Sequence, residues 1–171
     1  MDGILTPRIF HPDNPMTCDK ETWPKRPLHE RLAAGCKAIS FDYADRLDLP
    51  LVESTLPFVD YGFYSYHKER DAFIEGFLKD KVDRGMKIAV ATFGDKGSLA
   101  YDGKEFTSFG IFPAEQVVNT VGAGDSFTAT LVADLLKGAP VGVAHEHAVQ
   151  LAAYVCTQQG AMAEWPEALR L

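Results

Sequence analysis

Apolar residues follow two patterns along this chain: short continuous runs, and longer stretches that repeat at helical spacing. The short runs predict buried strands at 37–41, 59–64 and 86–92. The longer stretches predict helices at 28–35, 69–84, 122–138 and 143–158. Strands that alternate with helices are typical of an α/β domain with a largely parallel sheet covered by helices, whose ligands lie beyond the carboxyl ends of the strands.

The helix predicted over 69–84 is expected to pack against the sheet along one apolar side and to stop at Gly85. Helical spacing places five large apolar residues on or beside that side. They are Phe73, Ile74, Phe77, Leu78 and Val82.

The stretch 119–127 places two glycines and an alanine directly before a carboxylate at the start of a helix. Helix N-termini carry unpaired N–H groups and roughly half a positive charge, and the absence of side chains at Gly122 and Gly124 lets a phosphate come close. Asp125 is then suited to accept a proton from a hydroxyl that attacks the phosphate. The alternative is that Asp125 caps the helix and the glycines form the turn before it.

A second glycine segment follows the strand predicted at 86–92. Thr92 ends that strand, Gly94 and Gly97 follow in a loop, and the next residues predict a hairpin over 98–101 with the turn pair Asp102-Gly103. An ordinary tight turn is the alternative interpretation of these glycines.

Taken together, Thr92-Phe93-Gly94-x-x-Gly97 and Asn119-Thr120-x-Gly122-Ala123-Gly124-Asp125 resemble the C-terminal signature of the ribokinase-like (PfkB-type) carbohydrate kinases. The resemblance runs from about Leu28 to the C-terminus and implies a three-layer, Rossmann-like α/β fold. It implies that Asp125 is the general base, and that Gly122, Ala123 and Gly124 hold the transferring phosphoryl group of ATP. It also implies nucleotide contacts from Thr92, Gly94, Gly97 and Thr120.

The resemblance implies further ligand contacts at less distinctive positions. Ala148, Ala152 and Gly160 would border the adenine, although a packed core helix is an equally good interpretation of the alanines. Glu69 would act on Mg²⁺ through water, or would be an acid in the first turn of its helix. Two departures from the family are Asn119, where the family usually has Asp, and Tyr66, where it has Asn. The first leaves a monovalent-cation site in doubt.

The resemblance also predicts a division of the chain and a range of functions. Residues 28–171 would form the nucleotide-binding half of a longer kinase, because the family's N-terminal half, with its lid and Gly-Gly-Asn motif, has no counterpart here. The acceptor would be a sugar or a fructosamine, since the run 41–45 is most similar to the fructoselysine 6-kinase branch. A non-catalytic nucleotide-binding or assembly module and a merely structural fragment are the alternatives. An exposed sheet edge would favour a homo-oligomer.

Composition narrows the classes of protein and of ligand that fit this chain. Five of the ten prolines lie in residues 1–27, which predicts a loop-like arm. A formal charge of −7 without a basic cluster argues against nucleic-acid binding, and the sequence has no membrane-length apolar run. Three unpatterned cysteines fit a cytoplasmic protein with reduced thiols. His145 and His147 are two residues apart, so they do not form the i, i+4 pair that a metal would need.

Overall fold

The structure is a computed structural model that describes residues 38–113 and 116–160. The predicted arm at 1–27, the helix at 28–35 and the start of the strand at 37 lie outside the described residues. The fold divides into two compact units. Of the described residues, the first contains 38–93 and 101–105, and the second contains 94–100, 106–113 and 116–160.

The first unit is built on three parallel strands. These are β1 (Ser40–Asp42), β2 (Tyr61–Ser65) and β3 (Ile88–Thr92), with β2 between the other two. Nearly every residue of these strands is buried, as expected of a parallel sheet covered on both faces. The parallel sheet predicted from the apolar runs is therefore confirmed for this unit.

Two helices accompany these strands, α1 (Pro50–Thr55) and α2 (Ala72–Asp83). Asp71 is the N-cap of α2, because its side chain accepts a hydrogen bond from the Ile74 amide at 3.0 Å. Ile74 and Leu78 are fully buried, as predicted. Phe73 is not: its side chain is 61% exposed and stacks on the rings of Tyr66 and Phe77 instead.

The second unit contains two long helices and most of the two strands of the predicted hairpin, whose residues 101–105 belong to the first unit. Strands β4 (Ser98–Tyr101) and β5 (Phe106–Phe109) are neighbours. Helices α3 (Ala123–Leu136) and α4 (Val141–Cys156) pack against each other. Gly138 ends α3 with a positive φ of 89°, and Pro140 directly precedes α4. Within the described ranges, no helix is long and apolar enough to cross a membrane.

Candidate phosphate-binding site

The turn before α3 is tied to the end of α4. The amides of Val118 and Asn119 both donate to the Cys156 carbonyl oxygen, at 2.8 and 3.1 Å. The Asn119 side-chain oxygen then accepts a hydrogen bond from the Val121 amide at 2.8 Å, which closes a local turn. A neutral side-chain oxygen therefore shapes the loop at the position where the resemblance expects a carboxylate.

Gly122, rather than Asp125, is the N-cap of α3. Its φ of 86° lies in the left-handed region that favours glycine, and a glycine has no side chain with which to cap the helix. The Ala123 amide donates to the Thr120 carbonyl oxygen at 3.2 Å. Asp125 is the third helical residue, so the interpretation of Asp125 as the helix cap is wrong.

The first turn of α3 leaves room for an anion. Gly124 and Asp125 are exposed, and a Cβ built on Gly124 would meet no atom within 4 Å. The helix N-terminus attracts negative charge at this turn. Successive residues thus combine an open approach to the backbone with an exposed carboxylate. This arrangement can hold a phosphoryl group and take a proton beside it.

Gly94 and Gly97, the two glycines of the segment that follows β3, differ in their surroundings. Gly94 begins a 3-10 turn (Gly94–Lys96), is exposed, and has a φ of 63° with open space around its Cα. Gly97 is buried with a φ of 99°, and a Cβ there would lie 2.8 Å from the Gly110 Cα and would overlap the Phe109 carbonyl oxygen. Packing against the end of β5 therefore accounts for Gly97 by itself, whereas Gly94 is accessible to a ligand.

Thr92 belongs to the first unit and is the last residue of β3. Its hydroxyl donates to the Tyr64 carbonyl oxygen at 3.4 Å, and its own carbonyl oxygen accepts the Tyr66 amide at 2.8 Å. It lies at the carboxyl end of its strand, where ligands bind in sheets of this kind.

The structure corrects one interpretation of Glu69. This exposed residue precedes the N-cap Asp71 by two positions, so it is not a first-turn acid of α2. The acid in the first turn of α2 is Glu75, and the N-cap Asp71 also accepts a hydrogen bond from the Tyr66 hydroxyl at 2.8 Å. The Ile74 amide and then the Tyr66 hydroxyl hold the pKa of Asp71 below its ordinary value. An aspartate directly before an apolar helical pattern was the signal for this cap.

The residues expected near the adenine fall on and after α4. Ala148 is fully buried, which favours the packed-core interpretation for that residue, while Ala152 is half-buried. Gly160 follows the helix with a φ of 103°. Contact with adenine stays a prediction for all three. Among the residues that the structure describes, no group of three or more His, Cys, Asp or Glu side chains could hold a metal ion.

Comparison with models of known protein families shows which family this chain is related to. A model of the pfkB family of carbohydrate kinases matches residues 73–168, more than half of the 171 residues. The chain belongs to the pfkB carbohydrate kinase family. This confirms the relationship predicted from the two glycine motifs, and the match includes both of them.

Two relatives of this chain are named for different activities. Fructoselysine 6-kinase of Escherichia coli (strain K12) is 37% identical over 99 residues, which cover 58% of this chain and 37% of that protein. ATP-dependent 6-phosphofructokinase of Thermoanaerobacterium thermosaccharolyticum is 32% identical over 93 residues, covering 54% of this chain and 29% of that protein. The matched part therefore spans about a third of these relatives.

A solved structure supports the fold. Arabidopsis thaliana ribokinase, complexed with ribose and ATP, matches with a TM-score of 0.68 at 24% identity, over 78% of this chain and 47% of that chain. The predicted ribokinase-like α/β fold is confirmed, and it corresponds to about half of that kinase.

Proposed function

We propose that this chain is the nucleotide-binding and catalytic part of an ATP-dependent kinase that phosphorylates a hydroxyl group of a sugar or a fructosamine. The observation that carries the proposal is the first turn of α3, where exposed Asp125 adjoins the open backbone of Gly124 behind the left-handed Gly122. Membership of the pfkB family supports the same reaction class.

In this proposal, Asp125 accepts the proton of the acceptor hydroxyl as its oxygen bonds to the γ-phosphorus and ADP leaves. Gly122, Ala123 and Gly124 surround the negative charge of the transferring group. General-base catalysis contributes about 10²–10⁴ in rate, and charge stabilisation at the turn contributes more. Thr92, Gly94, Gly97 and Thr120 would contact the nucleotide phosphates, and Gly94 and Thr120 are the two exposed residues of the four.

Mg²⁺ shields the phosphate charges when it is bound with the nucleotide. Glu69 is an exposed carboxylate beyond the carboxyl end of β2, which suits contact with such an ion through water. A monovalent-cation site is not part of the proposal, because Asn119 brings no charge and its oxygen is engaged with the Val121 amide.

A fructosamine is the acceptor we favour. The support is the fructoselysine 6-kinase of Escherichia coli, which is more similar to this chain than the 6-phosphofructokinase named above. The run 41–45, on which the sequence comparison rests, contains the last two residues of β1 and the turn that follows, where the Asp42 carboxylate accepts a hydrogen bond from the Ala44 amide at 2.8 Å. The turn lies at the carboxyl end of its strand, where ligands bind in sheets of this kind.

The proposal is tested by measuring phosphate transfer from ATP to a panel of fructosamines, ketoses and pentoses. We expect Asp125→Asn to lower kcat by about 10²-fold or more, because the amide cannot take the proton, while leaving ATP binding intact. Asp83→Asn is the matched control: it makes the same change at an exposed aspartate at the end of α2, and should leave transfer unchanged.

A non-catalytic nucleotide-binding module is the second candidate, favoured by Asn119 and Tyr66, which stand where the family usually has Asp and Asn. If the wild-type chain binds ATP but transfers phosphate to no acceptor, this second function replaces the first. Near-normal turnover by Asp125→Asn would instead show that Asp125 is not the base.

A further inference from the structure

His145 is a buried polar side chain in the second unit that the proposed reaction does not use. It lies on α4 at 0% exposure, and its Nε2 atom is 2.6 Å from the Ser98 hydroxyl oxygen. Its ring packs edge-on against Phe109, with centroids 4.9 Å apart, and against Phe127 at 5.6 Å. One imidazole thus contacts β4, β5 and α3 together.

These contacts lie beside both glycine segments of that unit. Ser98 directly follows Gly97, and Phe127 follows Asp125 by two residues on α3. The Ser98 carbonyl oxygen is in turn held by the Ser108 hydroxyl at 3.3 Å. A displacement of the His145 ring would therefore shift the residues at the end of the Gly94–Gly97 loop and in the first turns of α3.

The hydrogen bonding of His145 indicates that this residue does more than fill space in the core. Burial lowers its pKa to about 4, so the ring is neutral at physiological pH. Nδ1 finds no hydrogen-bond partner among the described residues. The tautomer with Nε2–H donating to Ser98 is favoured, because the other would bury an unpaired N–H. A phenylalanine would fill this aromatic surrounding without that unpaired nitrogen.

We infer that His145 is a positioning residue, which holds the Gly94–Gly97 loop and the Gly122–Asp125 turn in the arrangement that binds nucleotide. The inference rests on the proposed nucleotide-binding function. The Nε2 atom would hold the loop through its hydrogen bond with Ser98. The ring would hold the two segments through its contacts with Phe109 and Phe127.

The test compares the calorimetric Kd of magnesium-ATP with the melting temperature for the full chain and its variants. His145→Phe keeps a ring and removes the bond, and Ser98→Ala removes the same bond from the other side. Each should weaken binding about three- to tenfold, the fold-change that matches the net worth of one hydrogen bond. The double variant should bind no more weakly than the weaker single variant, because both changes remove one interaction.

His147→Ala is the matched control. It removes a second α4 histidine, whose Nδ1 lies 2.7 Å from the Asp134 carboxylate in the last turns of α3. It should lower the melting temperature and leave the Kd unchanged.

The outcomes separate this inference from the proposed function. Variants that lose stability but bind ATP as the wild type does would make His145 a structural residue only. A folded wild-type chain that binds no magnesium-ATP overturns both proposals. Should His145→Phe fail to fold, Ser98→Ala decides by the same criterion, because it removes a single oxygen atom.

Discussion

At the scale of single residues, Gly94 and Gly97 are glycines for different physical reasons. Gly97 is required by the fold, since its left-handed φ and its contact with the backbone at 109–110 leave no room for a side chain. Gly94 has the same backbone preference but open space around it. Ligand binding therefore gives a reason for the open glycine that packing does not.

We predict that Gly97→Ala destabilises the protein by about 2–5 kcal/mol, the sum of left-handed strain and overpacking. Gly94→Ala should cost only the strain, about 1–2 kcal/mol. Urea unfolding of both variants measures the difference. Equal losses in the two variants would show that the approach to Phe109 and Gly110 is not a tight one.

At the scale of elements, α1 and α2 are joined by a charged network. Glu53 on α1 accepts from Lys81 at 2.8 Å and pairs with Arg84, while Asp80 lies 2.9 Å from Lys81 and 3.3 Å from Arg84. Lys81 is buried and its ammonium lies 4.8 Å from the centre of the Phe77 ring. The hydrogen bond from Arg84, followed by that from Lys81, lowers the pKa of Glu53 to about 2.

This network predicts a loss of stability in acid. A carboxyl group with a lowered pKa in the folded state stabilises above its ordinary value of 4.5, and that contribution disappears as the pH falls toward 2. Glu53→Gln should cost about 1 kcal/mol at neutral pH, a small amount because Glu53 is half exposed. Its melting temperature should then vary less with pH between 4.5 and 2. Glu105→Gln, at an exposed hairpin position, is the control, and parallel pH profiles for Glu53→Gln and the wild type would contradict the prediction.

Element types were predictable from sequence more reliably than the facing of individual side chains. The pattern located α2, α3 and α4 to within about three residues. Phe73 was placed in the core, because hydrophobic spacing cannot tell the first turn of a helix, where the ring meets Tyr66 and solvent, from its buried middle.

His145 was missed for a different physical reason. Its partners Ser98, Phe109 and Phe127 come from three other elements, so no local pattern in the sequence marks it. The turn before Asp125 was predictable, because glycines ahead of a helix are a local signal. That Gly122 is the cap and Gly124 is open required the backbone angles and the surrounding atoms.

At the scale of the whole molecule, the proposed site residues are divided between the two units. Thr92 and Glu69 belong to the first, and the residues of the α3 turn belong to the second. The predicted self-association through a sheet edge stays a prediction, which the molecular mass in solution will test.

The central claim is that the α3 turn binds the phosphates of ATP, and titration of the full chain with magnesium-ATP tests it most directly. We predict saturable binding that Gly124→Leu abolishes without unfolding the chain, because a Cβ at this position meets no atom within 4 Å and the larger side chain would occupy the open approach. Gly76→Leu makes the same change at another open, exposed helical glycine and should bind as the wild type does. Equal binding by both variants, or no binding by the folded wild type, would contradict the account.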